Sequence, residues 1–307
     1  MPAPYHRARS FWHDWALPTW LVIAGVYGGF LLLTWTYHAL PPWLAAPLLA
    51  FVLAWHGSLQ HETIHAHPTR SRRINAALGW PPLALWLPYA VYHETHLRHH
   101  GAGDRGLTVP ALDPESHYLD PAAFSGFGFV RQAAFRVNRT LAGRLVIGPA
   151  IAITRLWSHE LRRQAAHSRS GIRLAHAVGV AIVLGWVVGV CQIPLSLYLL
   201  AVVYPSVSLS LLRSFVEHRA APEPSHRTAI VETHPFWALL FLNNQLHQMH
   251  HARPDLPWYD LPLAWHEAAL AADLGDGMHF PGGYSEVACR YLFRPFIAAE
   301  HPFGKVL

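Results

Sequence analysis

Two long stretches of this chain carry no Asp, Glu, Lys or Arg. The first runs from Trp15 to His61, 47 residues, and the second from Leu174 to Leu212, 39 residues. An α-helix crosses a bilayer with about 20 apolar residues, so each stretch holds two spans and a tight turn. The turns are written at Leu40-Pro41-Pro42-Trp43 and at Gln192-Ile193-Pro194, where proline interrupts the helix. The pattern predicts spans at about 17–38, 43–60, 174–191 and 194–213, forming two helical hairpins that each enter and leave on one side. The first apolar segment is too long for the core of a signal peptide, so it is expected to be retained.

Two further uncharged stretches are expected not to cross. Segment 74–93 is long enough, but it contains Gly79, Pro81, Pro82 and Pro88. If it crossed, the histidine groups on its two sides would face opposite compartments, so it is read as interfacial or re-entrant. Segment 233–252, with the apolar run 236–242, is read as interfacial. The chain therefore reads as one all-α integral-membrane domain over 1–307. It has four spans, interfacial helices, and a cap made from segments 61–173 and 214–307.

Composition agrees with that reading. Charged residues make up 13% and hydrophobic residues 52%, whereas soluble domains carry about a quarter charged residues. The formal net charge is +5, and Lys305 is the single lysine. Both turns lack basic residues, whereas Arg70, Arg72, Arg73, Arg131, Arg136, Arg139, Arg162, Arg163 and Arg169 lie between the hairpins. The positive-inside rule then makes the N-terminus, the middle segment and the C-terminus cytoplasmic; the membrane is expected to be a bacterial inner (plasma) membrane. No basic run interleaved with aromatics points to nucleic acid. Cys191 and Cys289 stand far apart, which excludes a thiolate zinc site, an iron–sulfur cluster and a disulfide framework.

The chain holds 24 histidines, and many fall in tight groups. The first group is His61-Glu62-Thr63-Ile64-His65. The second is His96-Leu97-Arg98-His99-His100, with His93 just before it. The third is His247-Gln248-Met249-His250-His251. Residues i and i+4 share a helix face, so His61 and His65 can reach one metal. Each HxxHH group is expected to project three imidazoles from one face. Lone histidines (His6, His13, His38, His117, His159, His167, His176, His266 and His301) are read as structural or incidental. Packing alone gives no reason for adjacent imidazoles, which are hard to bury. The groups supply 2 + 3 + 3 = 8 imidazoles, and a tetrahedral zinc takes about four ligands, so two metals are expected. Imidazole-rich sites suit iron and also copper. A ferrous pair can activate dioxygen.

In order and spacing these boxes resemble the membrane fatty acid desaturase superfamily, which includes hydroxylases and carotenoid ketolases. The third box continues to Pro257-Trp258-Tyr259-Asp260-Leu261-Pro262, similar to the tail of small bacterial desaturase-like proteins. The resemblance covers about 50–262. It implies two iron ions, dioxygen as co-substrate, a lipid substrate and an external electron donor of ferredoxin type, which could dock near Arg162 and Arg163. It also implies a further ligand after the last span, which His218 supplies. Acyl-chain desaturases place an asparagine four residues before that histidine, where this chain has Ser214; Asn243 or Asn244 is the candidate substitute. Glu62, Glu94 and Glu217 each adjoin a candidate ligand, either to orient an imidazole or to pair with an arginine. Asp113-Pro114-Glu115-Ser116 reads as a loop turn without chemistry.

Fatty acyl desaturation is the first expectation, with hydroxylation or ketolation of a lipid or carotenoid as the alternative. His61-Glu62-x-x-His65 also reads as HExxH, a zinc-protease signature with Glu62 as base. A bis-histidine haem protein and a non-catalytic metal carrier are more distant alternatives.

Overall fold

A computed structural model describes residues 11–163, 167–268 and 278–303. It is largely helical. Four helices are long and apolar enough to cross a membrane: α1 (Leu17–Trp35), α2 (Pro42–Ile64), and two that follow the middle segment, Arg169–Val190 and Leu195–Ser214. Between them lie α3 (Arg72–Gly79), α4 (Tyr89–Gly101), α5 (Phe129–Val137), α6 (Leu141–Val146) and α7 (Gly148–Arg162). The second pair of spanning helices is α8 and α9. Beyond them come α10 (Pro235–Phe241), α11 (His247–Ala252) and α12 (Gly283–Tyr291). One short parallel pair, β1 (Ile230–Val231) with β2 (His279–Phe280), completes the cap.

The spanning helices are apolar all round, as a lipid-facing bundle requires. Leu21, Leu32, Leu174, Ile182 and Leu200 point outward and are exposed. Val26, Leu49, Leu53, Val187, Ile193, Tyr198 and Val202 meet in the bundle core. Polar groups at the far ends pair across the two hairpins. His38 bonds the Cys191 carbonyl at 3.1 Å, and Trp186 Nε1 donates to Thr34 Oγ1 at 2.9 Å. His38 is thus structural, as expected of a lone histidine.

Segment 74–93 enters the bundle and returns. Residues 80–88, between α3 and α4, are irregular, and such backbone survives at membrane depth only where protein groups satisfy it. Tyr198 Oη donates to the Leu83 carbonyl at 2.6 Å and Trp157 Nε1 to the Trp86 carbonyl at 3.0 Å; His176 Nε2 lies 2.9 Å from the Leu85 carbonyl. Gly179 lies ten residues into α8, about 15 Å along the helix. A Cβ there would stand 2.8 Å from Pro82 Cδ. Only glycine admits the loop so close. Gly179→Leu is therefore expected to destabilise the protein by about 1–3 kcal/mol through overpacking. A lowered thermal midpoint in detergent would show this, and an unchanged midpoint would refute it.

Candidate metal centre

The nine candidate ligands arrive on different elements. His61 occupies the last turn of α2, and His65 caps it. α4 brings His96, His99 and His100, and α11 brings His247, His250 and His251. His218 lies just beyond α9, bridged to Thr228. All nine come together in two groups. One contains His61, His65, His96, His100 and His250; the other contains His99, His218, His247 and His251. Within each group the potential ligand atoms all lie within 4.8 Å of one another.

The division corrects one expectation. The three imidazoles of an HxxHH box do not converge on one point, because adjacent helical residues point about 100° apart. Each box gives an i, i+4 pair to one group and its remaining histidine to the other. His96 and His100 join His250, whereas His247 and His251 join His99. The groups interlock, so neither forms without both boxes.

The donor set fits metal ions. Nε2 atoms approach in five pairs: His65–His96 at 2.9 Å, His100–His250 at 3.0 Å, His99–His251 at 3.2 Å, His218–His247 at 2.8 Å and His247–His251 at 3.1 Å. Several of these rings present their other nitrogen to an acceptor. His99 Nδ1 lies 2.8 Å from Asp113 Oδ1, His96 Nδ1 3.2 Å from both Glu115 oxygens, and His218 Nδ1 3.3 Å from the Arg227 carbonyl. His247 Nδ1 faces Asn244 Oδ1 at 3.3 Å and Glu217 Oε1 at 3.6 Å. Each of these partners accepts, so the ring proton sits on Nδ1 and Nε2 is a bare lone pair. His218 and His247 then aim two lone pairs at each other, which a shared cation relieves. With metal–imidazole bonds of about 2.0–2.1 Å, ligands at right angles stand ~3.0 Å apart, and tetrahedral ones ~3.4 Å. The observed spacings match the right-angled case.

Electrostatics keeps the rings ready to ligate. Burial, and then neighbouring imidazoles, holds His218, His247, His250 and His251 neutral, far below the usual histidine range. The same causes bring His100 down to about 3. His99 differs: burial lowers it, but the Asp113 hydrogen bond and the Glu115 and Glu217 charges outweigh burial and raise it. Burial would raise Glu115, yet His96, His99 and Arg213 hold its carboxyl at about 2.

The other candidates divide. Asn244 touches both groups, with Nδ2 at 3.4 Å from His61 Nε2 and Oδ1 on His247. Glu217 lies between Arg213 Nε, at 3.3 Å, and His247. Glu62 accepts from the Trp258 amide at 3.2 Å. Glu94 turns away to Arg169 and Arg163, so the arginine pairing wins there. Asn243 donates to the Trp258 carbonyl, and Ser214 lines a cavity; among the described residues neither bonds one of the nine histidines. The reading of 113–116 as an idle turn is overturned, since Asp113 and Glu115 are the carboxylates that fix His99 and His96. Their signal was available: ligating histidines usually hand the outer nitrogen to a carboxylate, and two follow the second box closely. His6 and the side chain of His167 lie outside the described residues.

Beside the first group a cavity of about 170 Å³ opens between α2, α9 and the re-entrant loop. Leu53, Leu83, Trp86, Val207 and Leu211 form its apolar wall, and its polar lining includes His56, Gln60, Tyr92, Arg213 and Ser214. The Tyr92 ring centroid is 5.6 Å from that of His96. Ser206 and Ser210 also line it, but their hydroxyls donate to carbonyls of their own helix at 2.7 and 3.1 Å.

No curated protein matches the chain. A family model described as Fatty acid desaturase matches residues 37–281. The match takes in all three histidine boxes and the segment holding His218, and by it the chain belongs to the fatty acid desaturase family.

Proposed function

We propose that the chain is a membrane-bound oxidoreductase that holds two iron ions and uses dioxygen and external electrons to desaturate a fatty acyl or related lipid chain. The observation carrying this reading is the pair of interlocked imidazole groups beside an apolar cavity. Iron held by the nine histidines would supply dioxygen activation and the oxidising power needed for an unactivated C–H bond. The protein's share is positional. Asp113 and Glu115 orient His99 and His96, and Asn244 links the two groups. The cavity wall holds an apolar chain against Tyr92 and excludes water. Its apolar wall suits a hydrocarbon occupant.

Hydroxylation or ketolation would start with the same hydrogen abstraction and remains the alternative product. The protease reading loses support from geometry. His61 and His65 stand with three further imidazoles, and Glu62 is engaged by the Trp258 amide. The electron donor, of ferredoxin type, would dock on a cytoplasmic face that includes Arg162 and Arg163.

Metal analysis of detergent-purified protein is expected to give about two irons per chain, consistent with two imidazole-rich groups. One zinc and no iron would sink the proposal. Lipids of cells with and without the chain then separate the products. New double bonds support desaturation, a gain of one oxygen supports hydroxylation, and cleaved membrane proteins with unchanged lipids support the protease.

A further inference from the structure

Away from the histidines, a second polar region lies where α5 and α6 meet the chain after α12. The Phe296 amide donates to the Arg139 carbonyl at 2.9 Å, and the Ala142 amide to the Leu292 carbonyl at 3.0 Å. An open cavity of about 640 Å³ lies here, lined by Arg136, Arg139, His301, Glu300 and the apolar strip 297–299. Arg139 is 3% exposed and Arg144 7%. Arg139 Nη2 donates to the His117 carbonyl, and Arg144 Nη2 to His117 Nδ1 at 2.9 Å. Those partners are neutral. The Nε of each guanidinium is buried without an acceptor, and so is His301 Nδ1.

A buried guanidinium without an anion costs several kcal/mol. Among the described residues no carboxylate pairs with Arg139 or Arg144. Burial and the neighbouring charges of Arg144 and Arg155 push Arg139 down to about 9. Burial, with Arg155, pushes Arg144 down to about 10, and Glu217 offsets this only in part. The corner gathers Arg136 and Arg139 at a hollow, with Arg144 behind them, and the one carboxylate in its lining, Glu300, leaves positive charge in excess.

Its position indicates the source of the missing anion. Ser208 Oγ donates to the Leu145 carbonyl at 2.7 Å, and Tyr204 Oη to the Val146 carbonyl. Ser208 lies six residues before the end of α9, so α6 sits about 9 Å along that span from its histidine-side end. Phe129 and Val130 at the start of α5 are 81% and 80% exposed, and Phe293 79%. Large apolar side chains turned outward beside arginines mark a membrane interface.

We propose that Arg136, Arg139 and His301, with Arg144 behind them, form a phosphate-binding site whose occupant is the headgroup of a membrane phospholipid in the leaflet on the histidine side. The guanidiniums take the phosphate oxygens, and the exposed phenylalanines lie along the acyl chains.

The test uses the full chain purified in detergent, with binding read for phosphatidylglycerol, for a diacylglycerol of the same chains, and for inorganic phosphate. Phosphatidylglycerol is expected to bind at least about tenfold more tightly than diacylglycerol, the scale of a lost charge-assisted contact. R139Q should weaken it about tenfold and the rim variant R136Q about threefold, while R162Q leaves it unchanged. Metal content is measured in each variant, so a folding failure is seen separately from lost lipid. If R139Q does not fold, R136Q alone decides. Unchanged affinity in R136Q, equal binding of diacylglycerol, or inorganic phosphate displacing the lipid at comparable concentration would overturn the proposal.

Discussion

His251→Ala is expected to remove one metal from the protein and leave the other. His251 belongs to the four-imidazole group, with Nε2 3.2 Å from that of His99 and 3.1 Å from that of His247. Its loss leaves three imidazoles there, while the five around His61 and His65 stay whole. Iron content should fall from about two per chain to about one, because an incomplete ligand set holds metal poorly. Oxidation of the substrate should stop, since the proposed reaction would use both ions. His65→Ala acts on the larger group, which keeps four ligands, so its iron content should fall less. His159→Ala, an exposed lone histidine outside both groups, should change nothing. A His251→Ala protein that keeps two irons would break the assignment of groups. Loss of both metals would instead mean that the groups do not load separately.

Much of this was legible in the sequence because its signals are local. The uncharged stretches 15–61 and 174–212 needed only composition and length to become hairpins. HxxxH and HxxHH needed only helical spacing to become candidate ligands. Three matters were not local. The split of each box depends on where α4 and α11 face each other, which no period within either helix specifies. Asp113 and Glu115 reach His99 and His96 through a folded-back loop, and within that loop their carboxylates also resemble turn residues. Asp113 indeed does both, accepting from the Thr108 and Glu115 amides at 3.0 and 2.8 Å while holding His99. The depth of residues 80–88 follows from partners such as Tyr198 and Gly179, more than 90 residues away along the chain. Prolines in that segment said that a helix would break, not where the broken backbone would find its hydrogen bonds.

Asp113→Asn tests the part that sequence reading missed. Both Asp113 oxygens accept: Oδ1 from the Glu115 amide and His99 Nδ1, Oδ2 from the Thr108 amide. An asparagine must turn its NH2 toward one of these donors. If it faces His99, the proton moves to Nε2 and the ring loses the lone pair that would meet the metal. If it faces Thr108, a buried amide loses its acceptor, which costs about 1–3 kcal/mol. Both outcomes loosen the ring that the second box gives to the four-imidazole group. Removing a partner of this kind lowers metal affinity about 10–100-fold. Glu115→Gln should be milder, because a glutamine oxygen can still accept from His96 Nδ1 and no second donor competes for it. Chelator titration of the purified variants reads both effects. Asp113→Asn should release one metal at a chelator concentration about 10–100-fold below wild type, with the other retained. Wild-type retention in Asp113→Asn would show that Asp113 shapes the loop alone and does not govern the His99 tautomer.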